Sequence, residues 1–275
     1  MRVTVVSALL ALFVIAAPSA QESTEAARTR AFDELLDLYV RNGDVYYRAI
    51  KSERAKLDGY VAQLAAVPVD RLPRDEQIAF WLNAYNALVL RTVADHYPIQ
   101  GRAGDYPSKS LRQIPGAYER LTHRVAGRTL TLDQIEQTVL AGFNDPRVYF
   151  ALGRGAVGSG RLRSEAFTGA RLQEQLADVA GECVTRAQCI AIDRENGTVG
   201  ISSIFSWREK EFAAGYADKA PALFATRSPI ERAALAFVQP TLLAIEKEFL
   251  AKNTFKVTYT AFDWTLNDLT GRGGR

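Results

Sequence analysis

The sequence predicts an α+β fold, a mostly helical single domain with a small, largely antiparallel sheet. Three observations lead there. Several stretches carry apolar residues at helical spacing, short alternating stretches double back on glycine-containing turns, and no internal repeat, low-complexity tract or linker divides the chain. With 48% hydrophobic and 24% charged residues in 275, the composition is that of an ordinary globular protein.

The opening twenty residues, MRVTVVSALLALFVIAAPSA, carry Arg2, an apolar core from Val3 to Ala17 and a small-residue end. That is the layout of a secretory signal peptide, too short and poorly flanked for a stable membrane span. Residues 1–20 are therefore expected to be removed, leaving 21–275 as one exported domain, periplasmic or extracellular, with no membrane span. Loss of Arg2 leaves 33 basic against 31 acidic residues, a net charge of +2 that gives no support to general nucleic-acid binding. Two histidines without an HExxH pattern, two cysteines and no EF-hand loop point to no metal site, and the chain implies no cofactor.

The elements follow in order. FDELLDLYV places Phe32, Leu35, Leu36, Tyr39 and Val40 on one helical face, stopped by Asn42-Gly43. A second helix carries Leu57, Tyr60, Val61 and Leu64. The third starts near Pro73 and runs through DEQIAFWLNAYNALVLRTVADHY; its stripe of Ile78, Trp81, Leu82, Tyr85, Leu88, Val89 and Val93, with Phe80 and Leu90 outside it, predicts burial on most sides. LTHRVAGRTL reads as a hairpin turning at Ala126-Gly127, and TLDQ as a capping box opening a helix with Leu132, Ile135 and Val139. Asn144-Asp145-Pro146 turns the chain into RVYFAL, which reads as a buried strand. A helix at ARLQEQLADVA, a hairpin turning at Asn196-Gly197, a helix opened by SPIE and kinked at Pro240, and a strand at FKVTYTAFDW complete the chain. Cys183 and Cys189 flank VTRAQ and are expected to form a disulfide in an oxidising compartment.

The glycine-rich loop RVYFALGRGAVGSGRLRSEAF draws the functional questions. GRGAVG at 153–158 matches GxGxxG, but a dinucleotide turn wants a helix immediately afterwards and an acidic residue ending the next strand, whereas here Arg161 to Phe167 intervene and Glu174 lies inside a helical pattern. GxSxG fails because Val157 occupies its first glycine position. The glycines are expected to serve backbone conformation and close approach. Arg147, Arg154, Arg161 and Arg163 could bind an anionic group around exposed N–H groups, although pairing with acids such as Glu165 is the favoured reading. Asn83 and Asn86, three apart on the buried helix, are expected to tie down carbonyls of the glycine loop or a neighbouring turn; alternatively they line a ligand cleft with Tyr85 and Glu136. The candidate binding residues are thus Asn83, Tyr85, Asn86, Arg147 and Arg163, with Trp207 and Trp264 expected as core anchors.

Taken together, AFWLNAYNALVL, LTLDQIE, DPRVYFAL leading to LRSEAF, SIFSW and FDWTLND resemble, in this order over roughly residues 30 to 270, the successive motifs of the domain of unknown function 547 family, which has exported bacterial members and plant members. The resemblance implies a histidine where this chain has Gln137, after Ile135 and Glu136, and a cysteine where it has Ser159. A Cys–His pair is the arrangement of papain-like and transglutaminase-like nucleophiles. Ser159 needs a true general base, and a glutamine cannot accept its proton. The leading expectation is a noncatalytic binding protein using the inherited cleft for a peptide, an envelope fragment or a partner protein. The alternative is an acyl hydrolase or acyltransferase with Ser159 as nucleophile, requiring His96 or His123 as its base with Asp95, Glu136 or an asparagine behind. A purely structural envelope protein is a third class.

Overall fold

Ser23 accepts a hydrogen bond from the Ala26 amide and opens α1 (Thr24–Tyr39), whose Phe32, Leu35, Leu36 and Tyr39 face the core. The structure, a computed structural model, describes residues 23–270, so the expected signal peptide lies outside the described residues. Asn42 and Gly43 both adopt positive φ and close the hairpin of β1 (Val40–Arg41) and β2 (Asp44–Val45). α2 (Tyr47–Ser52) is too short to show a stripe and left no sequence signal; α3 (Ala55–Leu64) buries Leu57, Tyr60, Val61 and Leu64. α4 (Arg74–His96) begins after an extended Pro73, and every residue from Ile78 to Leu90 is buried. It is the central helix, with α2, α3 and α6 packed against it, so Phe80 and Leu90 are as enclosed as the stripe itself.

β3 (Thr122–Val125) and β4 (Arg128–Thr131) pair antiparallel around Ala126 and Gly127, both at positive φ. Thr131 and Gln134 form the expected capping box, yet α5 (Leu132–Gln134) lasts one turn and widens into a π-helix over Ile135–Leu140. The expected strand at RVYFAL is instead a 3-10 helix, Pro146–Phe150, with the Asp145 side chain capping the Arg147 amide and proline in its first turn. A short apolar run has no periodicity that separates strand from buried helix, and the Asp-Pro start signal decides it.

α6 (Leu172–Cys183) ends at the disulfide to Cys189, with Cα atoms 5.1 Å apart. β5 (Ile190–Asp193) and β6 (Thr198–Ser202) form a hairpin whose turn is held by the Asp193 carboxylate, accepting from the Glu195 and Asn196 amides. α7 (Ser203–Trp207) and α8 (Glu209–Tyr216) follow, then α9 (Pro229–Val238) with its Ser228/Glu231 capping box. Pro240 does not kink α9. The helix stops at Val238, and Pro240 sits in a 3-10 turn, Gln239–Thr241, that leads to α10 (Ala244–Ala251), because proline offers no N–H to continue the ladder. β7 (Lys256–Thr260) joins β6 in parallel as an edge strand, giving the order β5-β6-β7. The fold is α+β as expected, its strands largely antiparallel but divided among three small sheets rather than one.

The described residues share one hydrophobic core, with Phe150, Phe205, Phe212 and Phe237 ring against ring where α7, α8 and α9 meet the glycine loop. After β7 the chain returns across the molecule. Amides of Val157 and Gly158 donate to the Thr265 and Asp263 carbonyls, the Val45 amide donates to Asn267, and the Tyr47 hydroxyl donates to the Asn267 side chain at 2.8 Å. The glycine loop is thereby clamped between α4 and the C-terminal segment. Its glycines have steric duties: Gly155 has φ +60°, and a Cβ on Gly160 would lie 1.5 Å from the Phe150 carbonyl oxygen. Gly160→Ala is expected to lower unfolding stability by about 3 kcal/mol or more, whereas Gly142→Ala, where an added Cβ meets nothing within 4 Å, changes it by less than about 1 kcal/mol; urea titration of the two variants checks this.

Candidate functional site

Glu136 lies on the π-helix and is buried. Its carboxylate accepts from Arg154 at both oxygens, Nε at 3.1 Å and Nη2 at 2.7 Å, from Arg208 Nη2 at 2.9 Å, and from the Tyr85 hydroxyl at 3.3 Å. Burial alone would push this carboxyl up, but the charges and hydrogen bonds of Arg154 and Arg208 hold it below the ordinary carboxylate value. Burial likewise lifts the Tyr85 phenol well above its usual range, so it stays a donor. Arg154, in the glycine loop at positive φ, is buried too; its Nη1 donates to the Tyr149 carbonyl, and its own carbonyl accepts from Tyr118 at 2.6 Å.

Beside this pair opens a cavity of about 210 Å³, lined by Arg112, Tyr118, Asp133, Glu136, Gln137, Arg154, Trp207, Arg208 and Trp264. Three guanidinium groups face two carboxyls there. Arg112 packs against two rings that meet edge to face, 4.3 Å from the centre of Tyr118 and 4.6 Å from that of Trp264, and Arg208 lies over Tyr149 at 4.7 Å. These rings restrict both side chains, Arg112 is further paired with Glu119, and Nε of each is buried without a hydrogen-bond partner. Asp133 and Gln137 stand four residues apart across the start of the π-helix and share a face. Burial, then the negative charges of Glu119 and Glu136, raise the Asp133 carboxyl above its ordinary value against the pull of Arg112 and Arg208.

The other candidates lie elsewhere. Ser159 is buried, its Oγ has no hydrogen-bond partner, and it lines a space of about 10 Å³ with Phe150, Val179, Cys183 and Cys189, barely enough for one water. Gln137 lines the other cavity. His96 and His123 line a third, next to Asp95 and Arg91, with His96 Nδ1 bonded to the Thr92 carbonyl. Asn83 exchanges two hydrogen bonds with the Phe167 main chain, and Asn86 bonds the Ala151 carbonyl and the Gly153 amide. These amides therefore fix the loop on both sides of Ser159 and are not among the residues lining the Glu136 cavity; Tyr85 reaches Glu136 from behind it. Arg147 is paired with Asp145, and Arg163 with Glu165, Asp178 and Glu182. Trp207 corrects the expectation of a core anchor: it is 43% exposed, and Trp264 is half-buried beneath it.

Residues 69–183, from the turn before α4 to the end of α6, match the family model described as protein of unknown function, DUF547. The chain is similar to that family over this segment. No curated protein and no solved structure matches the chain. The DUF547 segment supplies Arg112, Tyr118, Asp133, Glu136, Gln137 and Arg154, while Trp207, Arg208 and Trp264 close the cavity from outside it.

Sequence reasoning missed Arg112, Asp133 and Arg208. Asp133 sits inside the capping box and Arg208 directly follows SIFSW, so both had a local signal; Arg112, in an irregular stretch, had none. Glu136→Gln would leave Arg154 buried without its counter-charge and is expected to cost about 3–5 kcal/mol near neutral pH. Because the folded-state carboxyl of Glu136 is held below its unfolded value, that stabilisation is complete above the ordinary carboxylate range and is lost as pH falls through the lowered value. Urea titrations of both proteins at descending pH should show the gap narrowing on the acid side only.

Proposed function

We propose that this protein is an exported, noncatalytic binding protein that takes the anionic group of a small ligand or chain end into the cavity beside Glu136. The observation that carries this reading is the pair of guanidinium groups, Arg112 and Arg208, that line one cavity and are each packed against aromatic rings. A planar guanidinium held in place is suited to bidentate carboxylate or oxyanion recognition. Arg112 is also paired with Glu119, and Arg208 with Glu136 and Glu211, so the cavity gains positive charge when Asp133 is protonated. Export is supported by the leader-like first twenty residues and by the Cys183–Cys189 disulfide. The serine acyl hydrolase or acyltransferase reading is disfavoured by the surroundings of Ser159, which has no histidine beside it and no room for a substrate.

Calorimetric titration with sulfate and with acetate tests the proposal. Saturable binding is expected for both, weakened about tenfold or more in Arg112→Gln and unchanged in Ser159→Ala. Sulfate keeps its charge well into acid, and no histidine lines the cavity, so its affinity should rise as pH falls and Asp133, whose carboxyl is held above its ordinary value, takes up its proton. An affinity that falls on acidification contradicts the assigned role of Asp133. A serine-directed fluorophosphonate should leave Ser159 unlabelled; labelling there, with turnover abolished in Ser159→Ala, would replace the binding reading by the enzymatic one.

A further inference from the structure

Trp207 is the exposed member of an aromatic stack at the cavity mouth. Its ring lies 5.9 Å from that of Trp264 with 23° between planes and 4.9 Å from Phe262, and Phe262 and Trp264 are themselves 4.4 Å apart. The stack supports Trp207 from one side, and its 43% exposure leaves ring surface open at a site that also presents two guanidinium groups, the Asp133 carboxyl and the Gln137 amide. An exposed tryptophan held by three-ring packing is a preorganised platform, since little side-chain freedom remains to be lost on binding.

We propose that the ligand of this cavity is an acidic sugar at the end of a glycan, a pyranose ring that carries a carboxylate. The inference rests on the anion-binding reading above. Three features of the site select this chemistry. The electron-rich face of an indole suits the C–H face of a pyranose, whose hydrogens are weakly positive. The carboxylate is taken by the N–H groups of Arg112 and Arg208 that do not already serve Glu119 and Glu136. Ring hydroxyls supply donors to the Asp133 carboxyl and both donors and acceptors to the Gln137 amide, groups that an aromatic acid would leave unmatched. Size agrees: about 210 Å³ lies below the roughly 300–1,000 Å³ of pockets that enclose drug-sized ligands, so one ring is held and the remainder of a chain stays outside.

Glucuronate, glucose, acetate and benzoate titrated into the full chain, with calorimetry and tryptophan fluorescence as readouts, separate the outcomes. Glucuronate is expected to bind at least about tenfold more tightly than acetate or benzoate, to change the fluorescence, and glucose to bind too weakly to measure. Trp207→Ala should abolish the advantage of glucuronate over acetate, read as the ratio of the two affinities, with circular dichroism certifying that the variant is folded; Trp207→Phe should retain part of the advantage. Equal affinities for glucuronate and acetate, or indifference to Trp207→Ala, overturns the sugar inference and leaves the anion site standing. Benzoate binding more tightly than glucuronate overturns it in favour of an aromatic acid. Failure of every anion, sulfate included, removes both readings together.

Discussion

Three segments of the chain are tied to a single carboxylate on a fourth. Glu136 from the π-helix receives Arg154 of the glycine loop, Arg208 at the junction of α7 and α8, and Tyr85 of the central helix. Taking a carboxylate and a guanidinium out of water is costly, and their attraction repays that cost only when the geometry is good and the remaining hydrogen-bonding capacity is used. Here it is used, since Arg154 also bonds the Tyr149 carbonyl. What the arrangement secures is position: the π-helix, the loop and the α7–α8 junction are held in one relative placement, and the cavity is the space they leave between them.

The same loop is held from a second direction by neutral groups. Asn83 and Asn86 project from one turn of α4 and bond the main chain at Phe167 and at Ala151 and Gly153, bracketing the glycines. Between these brackets the chain passes close enough to Phe150 that only glycine fits at 160. Ser159 is thereby turned toward the disulfide, and Gln137 toward the charged cavity. The two positions that invite a catalytic comparison with relatives face different spaces, and the loop's anchoring gives neither room to cross over.

Much of the architecture was legible because it is encoded locally. The stripe of α4, the Thr131 and Ser228 capping boxes and the turns at Ala126-Gly127 and Asn196-Gly197 each need only a few neighbouring residues to specify them. What escaped was set by tertiary context. RVYFAL carries no period that tells a strand from a buried 3-10 turn, the wide turn at Ile135–Leu140 is preceded by an ordinary helix start, and α2 is shorter than any stripe. Asn83 and Asn86 could be recognised as buried amides needing partners, because the helix around them was visibly apolar on all sides. The guanidinium pair could not. An arginine on a sequence is equally at home in solvent, and only the packing of Arg112 against Tyr118 and Trp264 distinguishes it from its many exposed counterparts.

The return of the chain after β7 bears on how the molecule comes together in time. The Tyr47 hydroxyl closes on Asn267, 220 residues away, and the Val45 amide bonds the same residue's carbonyl; β6 finds its parallel partner only in residues 256–260. Such distant closures are reached late, because the chain must lose the entropy of a long loop before the contacts reward it. During synthesis the helical middle can collapse early, but the first hairpin, the β5-β6-β7 sheet and the glycine loop remain unsealed until residues 256–268 have emerged. The completed C-terminal segment is thus the final fastening of a fold whose innermost helix was finished long before.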